Sequence, residues 1–300
     1  MTSEITFNVY SYGFLPLLHD FFDGDSVSKF ADLTVEYLFN LGPDIYVRAI
    51  DASIVLNLWM AIVHVLNLSV DSCKEVYENK ISSRVANPVE FIDIAAAYWI
   101  GVDVTPELNF AGELLYKIAD EMSLRFNQNS DIASVNKMMI EHLNAMQQTS
   151  IVCSIEEQAT QHLRILKDRI VQIMTIPLIQ SLIHSIEIGD PVMAKMYAAS
   201  IVPQILSCSP KIAQYFSDNF VWNEYSVDLK EEALANLGEM FSCLGISCDD
   251  VGDYFGRTLI QKCTQSKDYA GYRSASLDPL VKEVSILSFL FLLNACTFVL

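Results

Sequence analysis

The stretch RILKDRIVQIMTIPLIQSLIHSIE, residues 164–187, decides how the rest of the chain is read. Between Ile170 and Ile186 no residue carries a formal charge. Arg169, Gln172, Ile176, Gln180, His184 and Glu187 are spaced by three or four positions, a single narrow stripe of an α-helix that is polar at every place but one. Elsewhere around the helix the surface is apolar, so the spacing predicts a core helix over about 160–188, sheathed by other helices. Pro177 is expected to kink it, because proline lacks a donor and crowds the preceding turn. Gly189-Asp190-Pro191 closes it.

Outward from that helix the periodicity stays helical. Amphipathic or apolar helices are predicted over 30–41, stopped by Gly42-Pro43, and over 45–73, 90–100, 112–126 and 134–148. Further helices follow over 192–206, with Pro203 bending or shortening the end, over 211–220, over 228–244 up to Gly245, and over 249–262 as the last. No window sustains β alternation. The fold class is all-α, a multi-helix bundle. Residues 52–70 are uncharged and long enough to span a membrane. However, Ser53, Asn57, Ala61, His64, Leu68 and Asp71 form a stripe that is polar in four of its six places and small in a fifth, which favours a buried helix with one edge near water.

At an offset of 116 residues, Arg48, Ile54, Val55, Leu66 and Ser69 meet Arg164, Ile170, Val171, Leu182 and Ser185, while His64 falls on Gln180 and Asp71 on Glu187. Each long helix is followed by an alanine-rich one. The expected organisation is one helical domain over 1–270. Two related halves, 30–150 and 151–262, would pack around long helices at about 45–73 and 160–188. A spacer and apolar tail occupy 271–300.

Of 300 residues 52% are apolar, enough for a sizeable core. With 19 basic and 37 acidic residues the net charge is −18, and no basic cluster exists to track a phosphate backbone, so nucleic acid is excluded as a partner. Cys296 lies in the apolar tail; the other six, Cys73, Cys153, Cys208, Cys243, Cys248 and Cys263, could pair if the chain is exported. Cys243 and Cys248 stand out as a local pair. In a reducing compartment all six would be small core residues.

Residues 1–18 contain Glu4, no Lys or Arg, and an apolar run broken by Pro16, which is not the pattern of a signal peptide. Residues 284–300, VSILSFLFLLNACTFVL, are uncharged and follow a short polar spacer and the small residues Ser274, Ala275 and Ser276. That order fits a glycolipid-anchor signal, which requires export. A membrane-spanning tail and a buried helix fit the same letters. Asn67-Leu68-Ser69 is a glycosylation sequon, read as a chance tripeptide because it lies on a helix stripe.

No catalytic motif is present: no Walker loop, dinucleotide fingerprint, nucleophile elbow, paired-cysteine zinc site or metalloprotease helix. No Glu is followed by His three positions on, which argues against a di-iron bundle. The acids Asp20, Asp23 and Asp25, and Asp249, Asp250 and Asp253, lack the spacing of a calcium loop; the second set is read as helix capping. If the two long helices packed stripe to stripe, His64 and Asp71 would meet His184 and Glu187 in a polar seam. A hydrogen-bonded seam is the first reading of it, and a metal ion is the one ligand it suggests. No cofactor is predicted.

Several stretches together resemble a family of predicted secreted, helical proteins of unknown function in diatoms and related algae. They are FIDIAAAYWIG (91–101), GELLYKIADE (112–121), VNKMMIEHLNAMQ (135–147), YAASIVPQILSCSP (197–210) and SCLGISCDDVG (242–252). The resemblance covers roughly 49–256 and is most specific at Tyr98-Trp99-Gly101 and at Cys243 and Cys248 with Asp249-Asp250. More remotely, the arrangement is similar to green-algal extracellular proteins induced by low iron or high carbon dioxide and linked to iron assimilation. It implies export or the cell surface and carries over no ligand set. The leading expectation is therefore a non-enzymatic secreted or cell-surface protein that binds an unknown ligand or protein. The alternatives are an extracellular metal-assimilation protein and a membrane-associated protein held by its C-terminal tail.

Overall fold

The computed structural model describes residues 30–42, 46–79, 87–101, 114–126, 132–156, 158–223 and 225–260. Helix α1 is Phe30–Asn40; α2, Tyr46–Ser53, runs through a π-turn at Ile54–Leu58 into α3, Trp59–Asn79. Then come α4 (Pro88–Ile100), α5 (Leu115–Arg125), α6 (Ser134–Ile151), α7 (Ala159–Ile188) and α8 (Pro191–Cys208). Helix α9 (Pro210–Phe216) continues into a second π-turn, Ser217–Val221, and is followed by α10 (Lys230–Leu244) and the single turn α11 (Cys248–Val251). The fold is all-α, as the periodicity predicts.

The punctuation residues act as their chemistry requires. Asn87 and Asp190 accept from the first free amides of α4 and α8 through their side chains, Asp190 from Val192 N and Met193 N at 3.0 Å each, with proline at the first helical position. Gly189 and Gly245 end α7 and α10 in the left-handed conformation, at φ +69° and +71°.

Helix α7 is the centre. It packs against α3, α5, α6, α8, α10 and α11, and residues 173–183 are all buried. A helix so enclosed must satisfy its hydroxyls internally, and it does. Ser181 Oγ donates to Pro177 O at 2.7 Å, Ser185 Oγ to Ser181 O at 2.6 Å, and Thr175 Oγ1 to Val171 O at 2.8 Å. Helix α7 runs unbroken through Pro177, and α8 runs through Pro203 to Cys208 rather than being shortened by it. Small residues on α8, among them Ala194, Ala198 and Ala199, are fully buried, which lets the two helices approach closely. Two stretches, Ile50–Glu78 and Ala159–Ile188, are long and apolar enough to cross a membrane, with 56% and 78% of their apolar windows buried inside the protein. The first has the half-buried edge its stripe predicts.

The motif around Trp99 is structural. Its Nε1 donates to Asn136 Oδ1 at 2.9 Å, and Asn136 Nδ2 donates to Tyr116 O at 3.0 Å and to Asp120 Oδ1 at 2.8 Å. One buried amide thus joins α4, α5 and α6. Gly101 ends α4 at φ +75°, and a Cβ there would lie 2.9 Å from the Leu114 side chain.

All five described cysteines are disulfide-bonded. Cys73 on α3 pairs with Cys153 just past α6, Cα to Cα 5.2 Å, and both are buried. Cys208 at the end of α8 pairs with Cys243 on α10, Cα to Cα 5.8 Å, with Cys243 exposed. The expected local pair of Cys243 and Cys248 is therefore not formed. Five residues on, Cys248 opens a new helix beyond the Gly245 turn, whereas Cys243 stands against the end of α8. Cys263, the tail 284–300 and Ser274, Ala275 and Ser276 lie outside the described residues.

The predicted helix over 249–262 is also corrected: α11 ends at Val251, where Gly252 turns the chain at φ +81°. Beyond it, Tyr254 and Arg257 exchange both backbone hydrogen bonds, at 3.1 and 2.9 Å, around Phe255 and Gly256. The result is a two-residue turn instead of a helix.

Candidate functional site

The polar stripe of α7 ends up under the C-terminal segment 245–257, not against the stripe of α2 and α3. Arg169 donates to Gly245 O at 3.2 Å and to Gln172 Oε1 at 3.1 Å. About three turns along, Gln180 Nε2 donates to Val251 O at 2.7 Å. The next rung joins His184 Nδ1 to the Tyr254 hydroxyl at 2.9 Å. At the last, the Glu187 carboxylate, only 4% exposed, stands 2.8 Å from Lys230 Nζ and 3.3 Å from Arg257 Nη2. The Lys230 contact is an ion pair by distance, though not aligned as a hydrogen bond.

The segment is shaped to receive those rungs. Ser247 and Asp250 form a reciprocal capping box, with Ser247 N donating to Asp250 Oδ2 at 2.8 Å and Asp250 N to Ser247 Oγ at 3.2 Å. Asp250 is thus a capping residue, as read from the sequence, and Asp253 accepts from Thr258 Oγ1 at 2.8 Å. Tyr254 is buried edge-on against Phe126, centroids 5.3 Å apart, and Phe255 N donates to Arg125 O at 2.7 Å. The segment therefore also closes the end of α5.

Burial, with the cations Arg125 and Arg48 nearby, holds the His184 pKa below its ordinary value, opposed only by Asp190. Burial and the Glu187 charge raise that of Tyr254. His64, half-buried on α3, is lowered by burial alone, and Asp71 is exposed. His142 is lowered chiefly by burial, and its Nδ1 lies 2.8 Å from Met138 O.

Among the described residues no three His, Cys, Asp or Glu side chains gather where they could hold a metal ion. His64, His184, Asp71 and Glu187 accordingly form no such group, and two of the four are committed to the 245–257 segment and its neighbours. The physical reason is that α3 and α7 pack through apolar faces, which turns their polar stripes to different surroundings. Under the segment lies a cleft of about 30 Å³ lined by Phe126, Ile183, Phe241, Val251, Tyr254 and Leu259 among others. It has room for about one water, far below the hundreds of cubic ångströms that organic ligands occupy.

Sequence reasoning missed Tyr254, Phe255, Arg257 and Arg125. The pairs Val251-Gly252 and Phe255-Gly256 were the available signal, since glycine inside a helical pattern marks a turn. No family model matches the chain, and no curated protein or solved structure matches it.

Proposed function

We propose that this is a non-enzymatic, secreted or cell-surface helical protein that acts by surface contact with a partner and is held at a membrane by its C-terminal tail. The observation that carries the reading is the state of the cysteines: all five described ones are disulfide-bonded, one pair in the core and one facing solvent. Such pairing belongs to oxidising compartments. The resemblance to secreted algal proteins points the same way.

The test is alkylation of the protein from its native source before and after reduction, read by mass spectrometry. Cys73, Cys153, Cys208, Cys243 and Cys248 should take label only after reduction. Labelling of these residues without reductant would remove the extracellular reading. Fractionation of the same cells, with the protein sedimenting in membranes, tests the anchor separately.

A further inference from the structure

Phe255 occupies a place that a phenylalanine should avoid. In the turn Tyr254–Arg257 both central residues have positive φ, +46° for Phe255 and +75° for Gly256. Such type I′ turns favour asparagine, aspartate or glycine, because a Cβ is crowded in the left-handed region and a large side chain gains nothing there. The ring is 59% exposed, so burial does not offset the strain. Nor is the turn slack. Phe255 N is bound to Arg125 O, Tyr254 is packed on Phe126 and bonded to His184, and Arg257 pairs with Glu187. The fold holds an aromatic ring rigidly in solvent.

Its surroundings are unusual for this chain. Leu124, next to the carbonyl that holds Phe255, is 68% exposed. Three cations, Arg125, Lys230 and Arg257, lie near Tyr254, the last two paired with Glu187, in a protein of net charge −18. Arg125 Nη1 donates to Glu121 O at 2.9 Å, and its guanidinium has no carboxylate partner among the described residues. The Arg257 side chain is 61% exposed. Asp253, exposed just before the turn, accepts from the neutral Thr258 hydroxyl and keeps its charge, so the patch carries both signs, as a zwitterionic headgroup layer does.

We propose that this turn rests on a phospholipid bilayer, with Phe255 and Leu124 entering the headgroup layer and Arg125 and Arg257 meeting lipid phosphates; the idea rests on the membrane-held reading above. One aromatic ring, one leucine and two arginines are too little for a stable protein interface, which needs roughly 800 Å² per partner. They suffice for a tethered contact. The apolar stretch 284–300 begins 24 residues after Ile260, so a bilayer holding it lies within about 80 Å even of a fully extended linker, and tethering supplies a high effective concentration. Every phospholipid carries a phosphate, so the contact needs no anionic lipid, and the charge of −18 makes a zwitterionic leaflet the better surface.

The test uses the full chain with Phe255→Trp, floated with phosphatidylcholine vesicles whose acyl chains are brominated. Trp59, Trp99 and Trp222 of the unsubstituted protein give the baseline. The fractional quenching should at least double over that baseline. Leu124→Trp, one residue before the carbonyl that receives Phe255 N, adds a second probe without touching the turn and should behave alike. Co-flotation with no added quenching in either variant overturns the contact while leaving the tail attachment intact. Failure to float overturns both. An emission shift that grows with protein concentration and ignores bromination assigns the tip to contact between copies, and also overturns the proposal.

Discussion

The two long helices carry the same kind of polar stripe and use it in opposite ways. On α2 and α3, Ser53, Asn57 and His64 are half-buried and Asp71 is exposed, so the stripe is an edge near water. On α7 the aligned positions are covered: Gln180 is 1% exposed and bonded to Val251, and the Glu187 side chain is 4% exposed between Lys230 and Arg257. A stripe at helical spacing thus says where a helix is polar, and long-range chain geometry decides whether water or protein meets it. The attachments differ as well. Helix α3 is tied covalently through Cys73 to Cys153, while the stripe of α7 is held by a ladder of hydrogen bonds and ion pairs.

The largest effect should come from cutting the covalent tie. The pair spans 80 residues, and on loop-entropy grounds Cys73→Ser with Cys153→Ser should cost about 4–5 kcal/mol in urea unfolding. The Cys208–Cys243 pair spans 35, and its removal should cost about 0.7 kcal/mol less. Equal costs would show that burial of the bond, or residual structure in the unfolded chain, outweighs loop length.

Next comes the ladder. Glu187→Ala removes the shared partner of Lys230 and Arg257 and should cost about 1–3 kcal/mol. Asp71→Ala, at the aligned place on α3, should stay within about 0.5 kcal/mol of the parent. Similar losses at both sites would erase the distinction between the stripes.

Acid separates them again. His64 and His184 both have pKa values held below the usual range, so in the fold both stay neutral longer than in the unfolded chain. Stability should be flat above about pH 6.5 and fall below it, as the unfolded chain takes up protons first, until the folded pKa is passed. Because Arg125 and Arg48 add to burial at His184, His184→Gln should flatten the decline between pH 7.5 and 5.5 more than His64→Gln. Urea midpoints at the two pH values are the readout. Phe255→Asn should instead gain roughly 0.5–1 kcal/mol in thermal unfolding, from relief of the left-handed strain. A loss there would mean that the exposed ring stabilises the turn through Tyr254, its edge-on neighbour at 4.8 Å.

Much of this architecture is legible in the sequence because apolar periodicity and helix punctuation act locally. Asn87-Pro88, Gly189-Asp190-Pro191 and Gly245 each did what their chemistry dictates. What failed was non-local. Nothing in the spacing of His64 and His184 says which elements face them, and their seam dissolved once α3 and α7 met through apolar faces. Cysteine pairing failed likewise, since closeness in sequence drew attention to Cys243 and Cys248 while the end of α8 brought Cys208 within reach. In 249–262 the apolar pattern outweighed two glycines that were the better guide. No local pattern forecasts that Phe255 takes a turn position normally left to asparagine.

The ladder also sets a schedule. Its hydrogen-bonded rungs join residues 70 to 76 positions apart and the Glu187–Lys230 ion pair 43 apart, with the α7 member always made first. At roughly 5–20 residues per second of synthesis, Gln180 and His184 wait about 4–15 s for their partners to be made, and Glu187 about 2–9 s for Lys230. During that interval the central helix of the protein has a polar edge with nothing to meet it. Its final packing is therefore a late event, and a nascent chain stopped near residue 240 should hold α7 in a protease-sensitive state even with every residue of that helix already in place.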